Sequence, residues 1–323
     1  MCTKVLTKGA FGVNIHLNLT RRGVFMIYTV TFNPAIDYVM RADSIFFGIT
    51  NRSSAEELHF GGKGINVSVV LGNLGEETTS LGFVGGFTGE YLEKGLQSLG
   101  IKTDFVHLVG GITRINVKLK SDEETEINAK GPCITEDELH SLMEKLCKVK
   151  DGDTVILAGS IPASLPSDIY EKILESLDGR GVRFVVDAEG ELLLKTLKYR
   201  PFLIKPNDFE LSGIAGRELK SNADIENAAR KLKDMGAVNV LVSLGADGAI
   251  LIDEFGEIHR CSAPKISPVD TVGAGDSMVA GFLSGVKEGY GYALKLGIAA
   301  GSATAASAGL AKKEDIFKFF EMI

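Results

Sequence analysis

The sequence predicts an α/β fold: a mostly parallel sheet covered by helices on both faces. Three observations predict it. Four short strands at residues 154–158, 183–187, 202–205 and 240–244 alternate with helical stretches at 166–177, 191–197, 208–214 and 222–235, the rhythm of strand–helix–strand units. The strands are near-continuous apolar runs, as strands wetted on neither face should be. The chain has 323 residues, 45% of them hydrophobic, enough for one large core.

The elements follow in order. Residues 1–25 carry Lys4, Lys8, Arg21 and Arg22 but no uninterrupted apolar core of a secretory signal. They are expected to be a poorly ordered extension ahead of a domain spanning 26–323. Residues 26–32 read as a buried strand ending at the turn Asn33-Pro34. After Gly61-Gly62-Lys63-Gly64, a helix at 65–74 places Ile65, Val69, Val70 and Leu74 on one face. Residues 78–84 form a strand, and 88–99 a helix closed by Gly100. Residues 115–120 alternate Ile115, Val117 and Leu119 with polar residues, a strand with one wet face. Segments 37–60 and 113–128 are expected to pair as a small sheet over the site. Thr135-Glu136-Asp137-Glu138 is a capping box opening a helix to about 148. After the four strands, a hairpin joins 240–242 to 249–252. The C-terminal part reads as two helices, 276–287 and the Ala- and Gly-rich 293–308, the latter suited to tight packing. No linker divides the chain, so one main domain is expected.

Charge and composition exclude several classes. The 35 Lys and Arg are set against 42 Asp and Glu, a net charge of −7 without long blocks, so no sequence-wide basic footprint for nucleic acid exists. Cys2, Cys133, Cys147 and Cys261 form no C-x-x-C pair, and His16, His59, His107, His140 and His259 show no zinc-ligand spacing. No apolar run reaches the ~20 residues of a membrane span. A cytoplasmic protein is expected.

The residues suited to chemistry lie in short, glycine-marked stretches. Val269-Asp270-Thr271-Val272-Gly273-Ala274-Gly275-Asp276 sets a carboxylate among small residues where a helix begins. The first N–H groups of a helix are unpaired and attract anions. Gly273, Ala274 and Gly275 put little between a phosphate and those groups, and Asp276 suits a base for an attacking hydroxyl. Alone, the string reads more simply as a turn with a capping Asp. Gly61, Gly62 and Gly64 surround Lys63 ahead of Asn66, where sugar hydroxyls could approach the backbone; this matches neither the G-x-x-x-x-G-K-[ST] nor the G-x-G-x-x-G spacing. An ordinary turn before a helix explains it equally. Arg114 and Asn116, two apart on a strand, share a face that suits a phosphorylated sugar or simply solvent. Asn207 and Glu210 are spaced for a magnesium–water cluster or for a capping box. Ser243, Gly245, Ala246 and Gly248 form a small-residue turn that could pass under a nucleotide, or an unremarkable hairpin. Asn33, Asp187, Lys205, Asn207 and Ser243 fall near strand carboxyl ends, where such sheets bind ligands.

In order, segments 33–37, 61–66, 113–116, 205–210, 243–248 and 270–276 resemble the ribokinase-like sugar kinases of the PfkB family over residues 26–320. The resemblance implies a three-layer α/β/α architecture with a mostly parallel central sheet and a small β-sheet lid. Segments 60–67, 113–118 and 124–128, followed by Gly131-Pro132, narrow it to the 1-phosphofructokinase branch. Ala129-Lys130 departs from the small residues expected there. The implied reaction is transfer from Mg-ATP to the C6 hydroxyl of fructose 1-phosphate; relatives acting on tagatose 6-phosphate or fructose 6-phosphate share much of the pattern. By that resemblance Asp276 is the base, and Gly273, Ala274 and Gly275 form the anion hole. Asp37, Gly62, Lys63, Asn66, Arg114 and Asn116 bind the sugar phosphate. Lys205, Asn207, Ser243, Gly245, Ala246, Gly248 and Gly275 line the ATP side, and Glu210 organises Mg²⁺ through water. Asp270 lies on a loop that takes a monovalent cation in related enzymes, and a homodimer would form through the lid. Two rival readings are a kinase of unphosphorylated sugars or nucleosides and a non-catalytic sugar-phosphate sensor. The first conflicts with Arg114, Asn116 and Lys63, the second with an intact Asp276, Gly275 and Glu210. A dinucleotide-binding oxidoreductase lacks its glycine fingerprint after the first strand.

Overall fold

A computed structural model describes residues 25–323; nearly all of the expected N-terminal extension, with Cys2 and His16, lies outside the described residues. In chain order the elements are β1 (Ile27–Thr31), β2 (Ala35–Arg41), β3 (Ala55–Gly61), α1 (Lys63–Leu74), β4 (Thr78–Gly85), α2 (Gly86–Ser98), β5 (Lys102–Thr103), β6 (Val106–Leu108), β7 (Arg114–Lys120) and β8 (Glu124–Ile127). They continue with α3 (Glu136–Leu146), β9 (Thr154–Ala158), α4 (Ile169–Leu177), β10 (Arg183–Asp187), α5 (Gly190–Thr196), β11 (Leu203–Ile204), α6 (Asp208–Ala215), α7 (Asn222–Asp234) and β12 (Asn239–Ser243). The chain closes with β13 (Ala249–Ile252), β14 (Ile258–Cys261), α8 (Ala274–Gly285), α9 (Tyr290–Ala305) and α10 (Lys313–Met322).

The central sheet has the order β14-β13-β12-β11-β10-β9-β1-β4-β5, with β6 also on β4. Every pairing from β12 through to β4 and beyond is parallel; at one edge β13 runs the other way, so its pairings with β12 and β14 are antiparallel. Successive side chains of a strand point to opposite faces, so an all-apolar strand feeds two cores. Val155, Leu157, Phe184, Val186 and Val242 enter one with Leu142 and Leu146 of α3, Ile173 of α4, Leu193 of α5 and Leu232 of α7. Ile156, Val185, Leu203 and Leu241 enter the other with Val67 and Leu71 of α1, Phe282 of α8, Ala299 and Ala303 of α9 and Ile316 of α10. Full burial of each Val, Leu, Ile or Phe contributes roughly 1.5–3 kcal/mol. The expected three-layer α/β/α sandwich is the observed one.

Helix α9 packs as its composition suggests. A Cβ on Gly281 of α8 would come within 2.5 Å of the Leu296 carbonyl oxygen, so backbones touch where side chains normally intervene.

Two expectations need correction. Three helices, not two, close the chain: α10 places Ile316 in the core and lays Phe320 against Tyr292, ring centroids 4.9 Å apart. Its Lys312, Lys313, Glu314, Asp315 and Lys318 dilute the apolar spacing over a short run. Strand β14 also went unforeseen, because Ile258–Cys261 is polar at its centre.

The separate small sheet runs β3-β2-β7-β8, the expected lid assembled from both proposed segments. Its β2 and β7 pair in parallel with Asp37 opposite Asn116 and Ala35 opposite Arg114. Phe60 anchors it, its ring lying where a Cβ on Gly95 of α2 would stand.

Candidate active site

A cleft of about 1390 Å³ opens at the carboxyl ends of the parallel strands, beneath the lid. The chain leaves β1 for β4 on one side and later lays β9 on the other, and ligand crevices form at such reversals. Thr31, Asn33, Gly159, Asp187, Lys205 and Ser243 line the cleft from β1, β9, β10, β11 and β12. Every residue assigned by sequence to the base, the anion hole, the sugar phosphate, ATP or Mg²⁺ lines it too, whereas Asp270 of the expected cation loop does not.

Helix α8 forms the floor. Gly273 is its N-cap with φ 78°, a left-handed conformation that glycine adopts without strain. Ala274 N–H donates to the Thr271 carbonyl and Val272 N–H to Asp270 Oδ1. Among the described residues the N–H groups of Gly273, Gly275 and Asp276 donate to nothing. The expected trio of amides is therefore shifted: Ala274 turns away and Asp276 joins Gly273 and Gly275.

Asp276 is 6% exposed. Its Oδ2 accepts a 2.8 Å hydrogen bond from Asn66 Nδ2, and Oδ1 takes none from the described residues. Burial, then the neighbouring Asp187 carboxylate, push the Asp276 carboxyl up to about 6, against the pull of Asn66, Lys63 and Lys205. A carboxyl tuned toward neutral pH suits proton transfer.

Asp187, at the end of β10, is a buried cleft residue to which sequence reasoning gave no role. It is 1% exposed, its Oδ1 stands 3.5 Å from Lys63 Nζ and 3.6 Å from Lys205 Nζ, and neither oxygen accepts a hydrogen bond. Its place at a strand end was the one signal available. Burial opposes the charge on Lys63, but Asp187, Asp276, Glu210 and Glu189 outweigh it and raise its pKa. Lys63 thus sits at the Asp276 end of the cleft, whereas sequence alone assigned it to the sugar phosphate. Lys205 approaches the start of α8 so closely that a Cβ on Gly275 would meet its Nζ at 3.2 Å.

The lid supplies the opposite wall. Asn116 Nδ2 donates to Asp37 Oδ1 at 2.8 Å, and Gly61 makes room: a Cβ there would lie 2.9 Å from Asp37 Oδ2. Arg114 donates through Nε and Nη1 to the carbonyls of Asn33 and Ala129, leaving Nη2 for a ligand. Lys118, two residues beyond Asn116 on the same face, is buried with Nζ 3.6 Å from Asp37 Oδ2 and 3.3 Å from Glu126 Oε1. The period-two spacing that selected Arg114 and Asn116 would have selected Lys118 as well.

On the remaining side a bridge between Asn207 and Ser243 joins the loops after β11 and β12. Asn207 and Glu210 form the capping box, with Glu210 N–H donating to Asn207 Oδ1 at 2.7 Å and Asn207 N–H to Glu210 Oε2 at 2.9 Å. Glu210 keeps Oε1 for the cleft, so the structural and functional readings hold together. The turn with Gly245, Ala246 and Gly248 is the expected hairpin and also lines the cleft, as do Ile298, Gly301, Ser302 and Ala305 of α9. The Ala-rich helix therefore does more than pack. The unbonded buried oxygens of Asp187 and the free Oε1 of Glu210 are hard donors that fit Mg²⁺.

The sequence pattern of the pfkB family carbohydrate kinases matches residues 28–316. The 1-phosphofructokinase of Bacillus subtilis (strain 168) is 45% identical over 291 residues, 90% of this chain and 95% of its own. The D-tagatose-1-phosphate kinase of Bacillus licheniformis is 38% identical over 288 residues, 88% of this chain and 94% of its own. The phosphofructokinase-2 from Escherichia coli in complex with potassium superposes with a TM-score of 0.85 at 30% identity, covering 92% of this chain and 98% of that one.

Proposed function

This chain belongs to the pfkB family of carbohydrate kinases, and we propose that it is an ATP-dependent sugar-phosphate kinase acting on the C6 hydroxyl of fructose 1-phosphate. One observation carries the reading. A buried carboxyl, raised to about 6, stands beside unpaired N–H groups at a helix start, in a cleft walled opposite by Arg114, Asn116 and Asp37.

The chemistry follows from that geometry. Asp37, Gly62, Asn66, Arg114, Asn116 and Lys63 bind and orient the sugar phosphate. Lys205, Asn207, Ser243, Gly245, Ala246 and Gly248 line the nucleotide side. The C6 oxygen forms its bond to the γ-phosphorus of ATP as the bond to the β–γ bridging oxygen breaks. The hydroxyl proton passes to the Asp276 carboxylate, and ADP leaves with the electron pair. Charge on the transferring oxygens meets the N–H groups of Gly273, Gly275 and Asp276 and the Lys205 ammonium, and such preorganised donors lower a barrier by about 3–4 kcal/mol each. Glu210, through water, and Asp187 would hold Mg²⁺, which would supply charge neutralisation for the ATP phosphates. The lid excludes water from the transfer.

Several finer points belong to the same reading. A monovalent cation at the Asp270 loop would share the carboxylate with Lys120, and dependence of ADP release on potassium over choline tests it. A homodimer would cover Leu58 and Ile127 of the lid, 50% and 60% exposed; sedimentation of the wild type and of Ile127→Glu tests that. No helix among the described residues is long and apolar enough to cross a membrane, and a cytoplasmic enzyme is the corresponding reading.

A second substrate has specific support, since a tagatose-1-phosphate kinase stands among the relatives. ADP release with Mg-ATP and fructose 1-phosphate, tagatose 1-phosphate, tagatose 6-phosphate or fructose 6-phosphate tests the assignment. Preference for fructose 1-phosphate is expected. Preference for a 6-phosphate reverses the sugar in the cleft, and binding without ADP release returns the sensor.

A further inference from the structure

The loop before the anion hole is tied to the lid. Asp270 Oδ2 accepts a 2.8 Å hydrogen bond from Lys120 Nζ across 150 residues of sequence, while Oδ1 accepts the Val272 N–H at 2.9 Å. The pair is largely buried, with side-chain exposures of 15% for Lys120 and 21% for Asp270. Glu124 also stands 3.6 Å from Lys120 Nζ. On the other side, the N–H groups of Val269 and Asp270 donate to the Ala305 carbonyl at the end of α9. The segment leading into Gly273 is thus clamped between α9 and a single lid ammonium.

Lys120 occupies strand β7 in the same period-two row as Arg114, Asn116 and Lys118. A strand is stiff along its length. Whatever seats Arg114 and Asn116 over the sugar therefore delivers Lys120 to Asp270.

We propose that Lys120 is a positioning residue for phosphoryl transfer: by binding Asp270 it holds residues 270–276 so that the N–H groups of Gly273, Gly275 and Asp276 face the transferring phosphate. Its catalytic consequence rests on the kinase reading above; its effect on the loop rests on geometry alone. With the lid displaced, Asp270 loses its cation, the Val272 turn loosens, and the anion hole is no longer preorganised. Sugar binding and assembly of the anion hole become one event, which would restrain ATP hydrolysis in the absence of sugar.

Lys120→Met keeps the aliphatic stem and removes the charge. In hydrogen–deuterium exchange of the full chain, the two hydrogen-bonded amides of this segment, Val272 and Ala274, should exchange about tenfold faster in this variant, as loss of one charge-assisted hydrogen bond implies. In steady-state kinetics kcat should fall about tenfold while KM for sugar phosphate changes by less than about threefold. Lys120→Arg should restore most of both. Asp270→Asn should reproduce Lys120→Met, and the double variant should be no worse than either single one. Unchanged exchange at Val272 and Ala274 overturns the proposal whatever the activity, and so does a fall in kcat without faster exchange. A wild type that releases no ADP overturns the kinase reading instead, and the exchange experiment still decides the role of Lys120.

Discussion

Asn66 Nδ2 donates a 2.8 Å hydrogen bond to Asp276 Oδ2 across 210 residues of sequence. The donor sits in the first turn of α1 and the acceptor in the first turn of α8, so two helix N-termini converge on one carboxylate. The bond fixes the carboxylate rotamer and leaves Oδ1 for a substrate hydroxyl. It also favours the ionised form, opposing burial. Asn66→Ala should therefore raise the Asp276 pKa and lower kcat about tenfold at pH 7, with recovery toward pH 9. A pH-independent loss would mean that Asn66 acts through its contact with the sugar alone and does not tune the carboxyl.

Asp276→Asn removes the base and keeps the shape. Turnover should fall about 10³-fold, within the range general-base catalysis contributes, while calorimetric affinity for sugar phosphate stays within about threefold. Near-normal turnover would remove Asp276 from the mechanism.

The same carboxyl sets the pH dependence. Its folded pKa of about 6 lies above the ordinary 3.8. As a base it works ionised, so kcat/KM should fall as pH drops through about 6. Lys205→Met, which removes a cation that lowers the carboxyl pKa, should move that limb to higher pH. The sign for stability is the reverse. Ionising the buried carboxyl costs stability that grows as pH rises from 3.8 through about 6. Asp276→Asn should therefore stabilise the protein at pH 8 by on the order of 2–3 kcal/mol, and by nothing comparable below pH 4. Equal Tm differences at both pH values would contradict this sign.

Glu210 serves the cap and the cleft through different oxygens, so two substitutions separate the roles. Glu210→Gln retains an acceptor for Asn207 N–H and should leave Tm nearly unchanged while raising the Mg²⁺ concentration needed for half-maximal activity about tenfold. Glu210→Ala should lose in addition about 1 kcal/mol of stability from the broken cap. A Gln variant with an unaltered Mg²⁺ requirement would confine Glu210 to the cap.

Arg114 has one terminal nitrogen uncommitted. Arg114→Gln should raise KM for the sugar phosphate by about 10–100-fold and leave KM for ATP unchanged, consistent with loss of a charged hydrogen bond. An equal rise for ATP would place Arg114 at the nucleotide.

Sequence by itself determined what depends on neighbours along the chain. Strands Thr154–Ala158, Arg183–Asp187 and Ala249–Ile252 match their expected bounds, because short apolar runs between turn residues admit few other readings. The capping boxes at Thr135 and Asn207 formed as their spacing required. The fold class, the family and the line of cleft residues were legible for the same reason: each motif is a local backbone requirement. Tertiary structure alone decided what depends on residues meeting across the sheet. Asp187 met its two ammonium neighbours only when β10 ended between Lys63 and Lys205. Lys63 met the carboxylates of Asp187, Asp276, Glu210 and Glu189 only when its helix start was packed against elements distant in sequence. Lys120 found Asp270 only once β7 reached the loop that leads into α8. Periodicity records which way a side chain leaves its own element; Coulomb and hydrogen-bond partners are chosen by the packing of elements distant in sequence, and no local pattern encodes that choice.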